Sequence, residues 1–333
     1  MSVLPHASIS EYESKRARQR CRYYFGRVVQ LTNKTGRRVI QYRQITGSTR
    51  LVTLLGYPVT HSLSPLIHNA AFAAAGLDYA YVTAAVEPGN LKQAIEGLAA
   101  LGVAGSNVTV PHKQEVHDLI DVTSEDARFI GAVNTLTFDR SGDRCRISGD
   151  NTDIEGFTRS LDLYRPNLIN STVAVLGAGG AARAVSYALL KDFQPESLTL
   201  VVRDIQKGLV AANVLDTIAG DCQMAVVTFA EASDSIRSSR LVINATPAGM
   251  APNADVTPWE TATDFHSGQL VYDLIYAPEK TRLLAEAENM GAETLNGLEM
   301  LIWQAAASFK LWTNEEMPVD TVRQILQEHL AKR

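Results

Sequence analysis

Cysteine is scarce and unpaired. Cys21, Cys145 and Cys222 are the only three in 333 residues, and none sits in a Cys-x-x-Cys pair. That excludes a disulfide framework and a cysteine-held structural zinc. Long apolar runs are also missing. Nothing approaches the roughly 18 residues that cross a bilayer, and the N-terminus has no apolar signal core. His112, His117, Asp118 and Asp121 lie close together, but they reproduce neither His-Glu-x-x-His nor a Cys/His spacing, so no metal is expected. Acid is nearly absent from residues 1–50, which hold 11 Lys or Arg against Glu11 and Glu13. The remainder carries 20 basic and 34 acidic residues. So acidic a body argues against nucleic acid as the main partner. These absences describe a reduced, cytoplasmic protein without a membrane role.

The basic run Lys15-Arg16-Ala17-Arg18-Gln19-Arg20-Cys21-Arg22 has Tyr23 and Tyr24 beside it. Such a stretch fits a solvated extension, an upstream start codon or a targeting segment. Residues 1–44 are therefore expected to be a poorly ordered extension, with regular pattern beginning at Arg50.

The length accommodates two domains, each with its own core. Leu51–Gly56 and Tyr79–Val86 read as strands, and Gly105–Val110 as a third closed by Pro111. Pro65–Ala75 reads as a helix with Ser64 as N-cap, and Asn90–Leu101 as another stopped by Gly102. This alternation predicts a mostly parallel α/β sheet. A second series follows a linking helix at Ile154–Leu163. Thr172–Leu176, Leu198–Val202, Leu241–Asn244 and Leu270–Leu274 read as strands, and the stretch from Leu298 as helix. This is the rhythm of a Rossmann-type domain with a parallel sheet.

Gly177-Ala178-Gly179-Gly180-Ala181-Ala182-Arg183 leaves the strand at Leu176 and opens a helix, the context a dinucleotide loop requires. Gly177 permits the tight turn, Gly179 lets backbone approach a pyrophosphate, and Ala182 takes the third small position. Amides at the helix start hold the phosphates. At the end of the next strand, Asp204 suits a ribose 2′-hydroxyl, as in NAD. Arg203 and Lys207 suit the 2′-phosphate of NADP. The signals conflict, and the cofactor is read as NADP or NAD.

Several segments are too polar for core: His61-Ser62-Leu63-Ser64-Pro65, Asn107-Val108-Thr109-Val110-Pro111-His112-Lys113, Gly131-Ala132-Val133-Asn134-Thr135 and Gly149-Asp150-Asn151-Thr152-Asp153. With the glycine loop, INATPAGM, YDLIY and MLIWQAA, they resemble the shikimate and quinate dehydrogenase family from about Ile45 to the C-terminal helix. The resemblance implies a substrate domain of residues 45–152 plus 298–333, with a nucleotide domain at 153–297 inserted. It maps the catalytic pair onto Lys113 and Asp153, although Asp153 also suits a helix N-cap. Ser62 and Ser64 map onto carboxylate-binding hydroxyls. Asn107, Thr109, Asn134, Tyr276 and Gln304 map onto further substrate contacts. Asn244, Thr246, Leu274 and Gly297 map onto positions near the nicotinamide.

NADP-specific members carry Asn-Arg-Thr where this chain has Val202-Arg203-Asp204, and an arginine where it has Lys207. Strict NADP use is thereby in question. The implied activity is reversible reduction of 3-dehydroshikimate to shikimate. A quinate/shikimate enzyme preferring NAD, and a dehydrogenase-like ligand sensor, are the alternatives. Retention of Lys113, Asp153 and the glycine loop speaks against the sensor. The expected partner is a small molecule, and the expected assembly a monomer or homodimer.

Overall fold

In the computed structural model the described residues are 28–32, 38–42, 45–250 and 253–331. Ahead of Arg50, β1 (Val28–Thr32) and β2 (Arg38–Tyr42) pair antiparallel, with Val28 opposite Tyr42. This differs from a pattern that begins at Arg50. Val-Val-Gln-Leu-Thr and Arg-Val-Ile-Gln-Tyr are strand-forming runs that the basic composition around them obscures. The expectation of poor order over the rest of residues 1–44 falls outside the described residues.

A six-stranded sheet follows, in the order β4-β3-β5-β7-β8-β6. Its strands are β3 (Arg50–Gly56), β4 (Tyr79–Ala85), β5 (Gly105–Val108), β6 (Val122–Thr123), β7 (Thr135–Asp139) and β8 (Arg146–Asp150). Strands β4, β3 and β5 are parallel, because the helices α1 (Ser64–Ala74) and α2 (Leu91–Ala100) connect them. Strand β7 runs antiparallel to both β5 and β8. The β7–β8 link is too short for a crossover, so that pair must be a hairpin. The sheet is therefore parallel-rich but not wholly parallel.

One face of this sheet packs on α1 and, from the far end of the chain, on α10 (Leu298–Thr313) and α11 (Val319–Leu330). Val52, Leu54, Ile67, Phe72, Phe309 and Leu326 meet there. The other face packs on α2 and α3 (Glu125–Ile130) through Leu55, Ile95, Val116 and Leu136.

The second sheet has the order β11-β10-β9-β12-β13-β14, and every pair in it is parallel. Its strands are β9 (Thr172–Leu176), β10 (Ser197–Val202), β11 (Gln223–Thr228), β12 (Leu241–Asn244), β13 (Leu270–Asp273) and β14 (Glu293–Leu295). Helices α4 (Asp153–Ser160), α5 (Arg165–Leu168), α6 (Gly180–Ala188) and α7 (Ile205–Asp216) cover one face. Helices α8 (Ser233–Ser238) and α9 (Arg282–Asn289) cover the other. This is a doubly wound Rossmann arrangement, with the order reversing between β9 and β12.

Helix α4 joins the halves. A Cβ on its Gly156 would lie 2.7 Å from Gln304 Cβ and 2.8 Å from Met300 O of α10. Only glycine lets the two helices approach so closely. No helix among the described residues is long and apolar enough to cross a membrane.

In the first half, a Cβ on Gly105 would lie 2.1 Å from Trp312 Cδ1. The Trp312 indole donates to the Leu136 carbonyl at 3.0 Å and cannot move freely. Gly105→Ala is expected to lower stability by about 1–3 kcal/mol through overpacking. Urea unfolding of the purified variant checks this, and an unchanged midpoint contradicts it.

Candidate active site

Strand β5 ends at Val108, two residues before the sequence reading, and the chain turns as His112 N–H donates to the Thr109 carbonyl at 2.9 Å. The His112 ring is fully buried, with Nε2 at 2.7 Å from the Val86 carbonyl. Val133 N–H donates to the Lys113 carbonyl at 2.7 Å. Lys113 is thus held by its own backbone and by its neighbour's ring. Its Nζ lies 2.6 Å from Asp153 Oδ2, with the two side chains 31% and 17% exposed. The pair is therefore reachable by a ligand without being fully solvated.

Asp153 opens α4 but does not cap it. Thr152 is the N-cap and makes no side-chain cap bond. The N-cap reading of Asp153 is corrected, since its carboxylate points sideways and accepts from Lys113 and from Asn134 Nδ2 at 2.8 Å. Asn134 Oδ1 takes the Thr152 amide at 2.8 Å and the Thr135 hydroxyl at 2.9 Å. One Asn134 N–H remains for a ligand.

Asn107 is more deeply engaged. Its Nδ2 faces the Asn134 carbonyl, Thr135 Oγ1 and Ser308 Oγ at 3.1–3.2 Å, and its Oδ1 accepts from Tyr81 at 2.8 Å. Both its N–H groups are spent, so it braces Asn134 and has one oxygen lone pair left for a ligand.

Helix α1 begins at Ser64 with Leu63 as its N-cap and no side-chain cap bond. The N-cap reading of Ser64 is corrected as well. Pro65 in the first turn starts the helix without a cap, and the Ser64 hydroxyl turns to Tyr81. The Ser62 hydroxyl accepts the Ser64 amide at 3.2 Å. Thr109 is half-buried, and its methyl would lie 2.3 Å from a Cβ on Gly56. Gln304 Nε2 donates to the Leu301 carbonyl at 2.9 Å, within α10. Tyr276 follows β13 and packs on the core of the first sheet.

On the nucleotide side Gly177 has φ +118, and a Cβ there would meet Thr246 Cγ2 at 3.3 Å. Gly179 is the N-cap of α6, and nothing lies within 4 Å of a Cβ at Gly179 or Gly180. Ala178 packs on the core and Ala181 is exposed, while Ala182 is buried. The turn therefore leaves an open cradle at a helix N-terminus, which fits a pyrophosphate.

Asp204 is the N-cap of α7, and its Oδ1 accepts the Gln206 and Lys207 amides at 3.1 and 3.2 Å. The reading of Asp204 as a ribose contact is joined by a helix-capping role that the sequence did not show. One oxygen caps the helix, and the other lies 3.9 Å from Lys207 Nζ. Arg203 is exposed beside it.

Asn244 is buried with all four hydrogen-bonding positions used. Nδ2 donates to the Ala248 carbonyl at 3.2 Å and to Asp273 Oδ1 at 2.9 Å. Oδ1 accepts from the Thr246 amide at 2.9 Å and its hydroxyl at 2.7 Å. Asn244 shapes the Thr246 turn from behind and has no donor left for a cofactor. A Cβ on Gly297 would lie 2.0 Å from the Leu274 carbonyl, so glycine is required for that contact.

Sequence reasoning missed Tyr81, Thr135, Thr152, Ser308 and Asp273 as supports of the site. Thr135 and Thr152 stood inside quoted segments, and Asp273 inside Tyr-Asp-Leu-Ile-Tyr. Ser308 carried no signal beyond a lone hydroxyl in an apolar helix.

A lysine–carboxylate pair and an open dinucleotide-type cradle in one chain fit a class, the nicotinamide-dependent oxidoreductases acting on CH–OH groups. Two family models match: the shikimate dehydrogenase substrate binding domain over residues 54–136, and the shikimate 5′-dehydrogenase C-terminal domain over 297–327. A shikimate dehydrogenase (NADP(+)) of Salinibacter ruber is 48% identical over 287 residues, 85% of this chain and 99% of the relative. Among solved structures, shikimate 5-dehydrogenase from Listeria monocytogenes, in complex with shikimate and NAD, is 34% identical. It superposes with a TM-score of 0.79 over 86% of this chain and 99% of that one. Quinate dehydrogenase from Corynebacterium glutamicum, in complex with NAD, is 32% identical, with a TM-score of 0.77 over 84% and 99%. The chain belongs to the shikimate dehydrogenase family.

Burial pushes the Asp273 carboxyl up from 3.8 to about 6, against the pull of bonds from Thr281, Ile275 and Asn244. Between those values the folded protein keeps a proton that the unfolded chain has released. Stability from this group is full below the unfolded value and is lost as pH rises through the folded one. Asp273→Asn does not titrate. Its unfolding free energy relative to wild type should rise by about 1–3 kcal/mol from about pH 4 to about pH 7.5. Urea unfolding at both pH values measures the difference, and a flat difference contradicts the burial argument.

Proposed function

We propose that this protein reversibly reduces 3-dehydroshikimate to shikimate with NADP or NAD, acting in the cytoplasm on a small molecule. In this reading residues 45–152 with 298–333 hold the substrate and residues 153–297 the cofactor. Ser62 and Ser64 hold the substrate carboxylate, which their pairing at the start of α1 suits. Thr109, Asn134, Tyr276 and Gln304 take the ring hydroxyls, with Asn107 behind Asn134. Gly177, Ala178, Gly179, Gly180 and Ala181 form the pyrophosphate cradle, while Arg203, Asp204 and Lys207 meet the adenosine ribose. Thr246, Leu274 and Gly297 line the nicotinamide side.

When bound, the nicotinamide supplies or accepts the hydride. Lys113 Nζ gives a proton to the carbonyl oxygen during reduction and receives it from the hydroxyl during oxidation. Asp153 aims the amine from 2.6 Å and is itself aimed by Asn134. That 2.6 Å pair, joining residues 40 positions apart, is the observation that carries the reading.

Lys113→Ala is expected to lower kcat at least about 100-fold, the range for losing a proton donor, with the fold retained by circular dichroism. Turnover like wild type would remove Lys113 from the mechanism.

A second reading, NAD preference with quinate accepted, is favoured by the Asp204 carboxylate. Beside a 2′-phosphate that carboxylate would meet like charge. Kinetics with shikimate and quinate against each cofactor separate the two readings. Asp204→Ser should raise the NADP-to-NAD ratio of kcat/KM by about fivefold or more as that repulsion is removed. No change in the ratio would clear Asp204 of a role in selectivity.

A further inference from the structure

Asp273 ends β13 with no exposed surface, and its partners are all uncharged. An isolated buried carboxylate is costly, so such a group persists where donors converge on it. Three do. Asn244 Nδ2 and the Ile275 amide reach Oδ1 at 2.9 and 3.1 Å, and the Thr281 hydroxyl reaches Oδ2 at 2.7 Å.

Each donor belongs to a different structural unit. Asn244 ends β12 and shapes the Thr246 turn, whose methyl faces Gly177 of the glycine turn. Ile275 follows Leu274, whose carbonyl touches Gly297 at the start of α10. Thr281 is the N-cap of α9, and its oxygen accepts the Leu284 amide at 3.4 Å. In a doubly wound sheet the ligand lies outside the carboxyl ends of the strands, and the second half, here β12 to β14, takes the second mononucleotide. Asn244 and Asp273 are the last residues of two of those strands.

We propose that Asp273 is a positioning residue for the nicotinamide half of the cofactor site, acting through the Thr246 turn and the Leu274–Tyr276 segment without touching the ligand. The inference rests on the dinucleotide-binding reading above. A two-oxygen acceptor is what the site needs. An asparagine can replace it, because its amide can donate to Thr281 Oγ1 while its oxygen keeps the other two bonds. An alanine leaves three buried donors unpaired and lets both loops drift.

The test is titration calorimetry of full-length wild type, Asp273→Ala and Asp273→Asn with NADP and with NAD, together with steady-state kinetics. Asp273→Ala should weaken the better cofactor at least about tenfold in Kd and in KM, as a misplaced binding loop does. KM for shikimate should rise less than KM for the cofactor, because Lys113 and Asp153 are untouched and only Tyr276 adjoins the loosened segment. Asp273→Asn should restore cofactor Kd to within about threefold of wild type. Loss confined to thermal stability, or an equal rise in both KM values, overturns the proposal. If Asp273→Ala does not fold, Asn244→Ala removes the donor to Asp273 together with the bonds to Ala248 and Thr246, and leaves Ile275 and Thr281 on Asp273. It should weaken the cofactor about fivefold or more, and a wild-type Kd in that variant overturns the idea. Wild type binding neither NADP nor NAD overturns the proposed function and this inference together. Wild type binding, with Asp273→Ala equal to it, overturns this inference alone.

Discussion

The Asp153 carboxylate is where the two halves of the molecule meet chemically. One oxygen holds Lys113 and the other holds Asn134. A pair this accessible contributes only about 0–1 kcal/mol of net stability, so its worth lies in geometry. Asp153 opens α4, and α4 is pressed against α10 at Gly156 and seated on α6 by its apolar side. The amine is thereby aimed by helix packing, which is stiff, in preference to a free loop, which is not.

Behind the pair stands a buried cluster of short polar side chains: Asn107, Asn134, Thr135, Thr152 and Ser308. Their bonds interlock, with Ser308 Oγ at 2.8 Å from Thr135 and 3.1 Å from Thr152, and Tyr81 and Asp153 complete them from outside. A fully paired network in a low dielectric rigidifies its members, whereas one missing partner makes it a liability. Here it couples β5, β7, the start of α4 and α10.

Much of this architecture was legible in the sequence. Thr172–Leu176 and Leu241–Asn244 stood out as short apolar runs between polar turns, and both are strands over those residues. Strands β7 and β8 were not read: Thr-Leu-Thr-Phe-Asp does alternate as a strand should and was passed over, whereas Arg-Ile-Ser-Gly-Asp has a single apolar residue and does not separate from loop. Caps failed where one residue type serves two purposes. Ser64 and Asp153 both looked like N-caps and both turn their side chains elsewhere, whereas Asp204 looked like a ligand and caps a helix. Lys113 and Asp153 were reached through motif resemblance. No periodicity could pair them across 40 residues. Ser308 and Asp273 each have partners far away in sequence, Asn107 and Thr135 for one and Asn244 for the other, which a single chain read linearly does not reveal.

The return of α10 and α11 to the first sheet has a consequence for biosynthesis. Phe309, Trp312 and Leu326 complete a core whose other members, Val52, Ile67 and Phe72, leave the ribosome more than 200 residues earlier. The second sheet and its covering helices are contiguous from Asp153 to Leu295, all ahead of α10. They can fold during synthesis, while the half that precedes them in sequence waits for the last helix. Until then, the apolar face of that sheet is the surface a chaperone would have to shield.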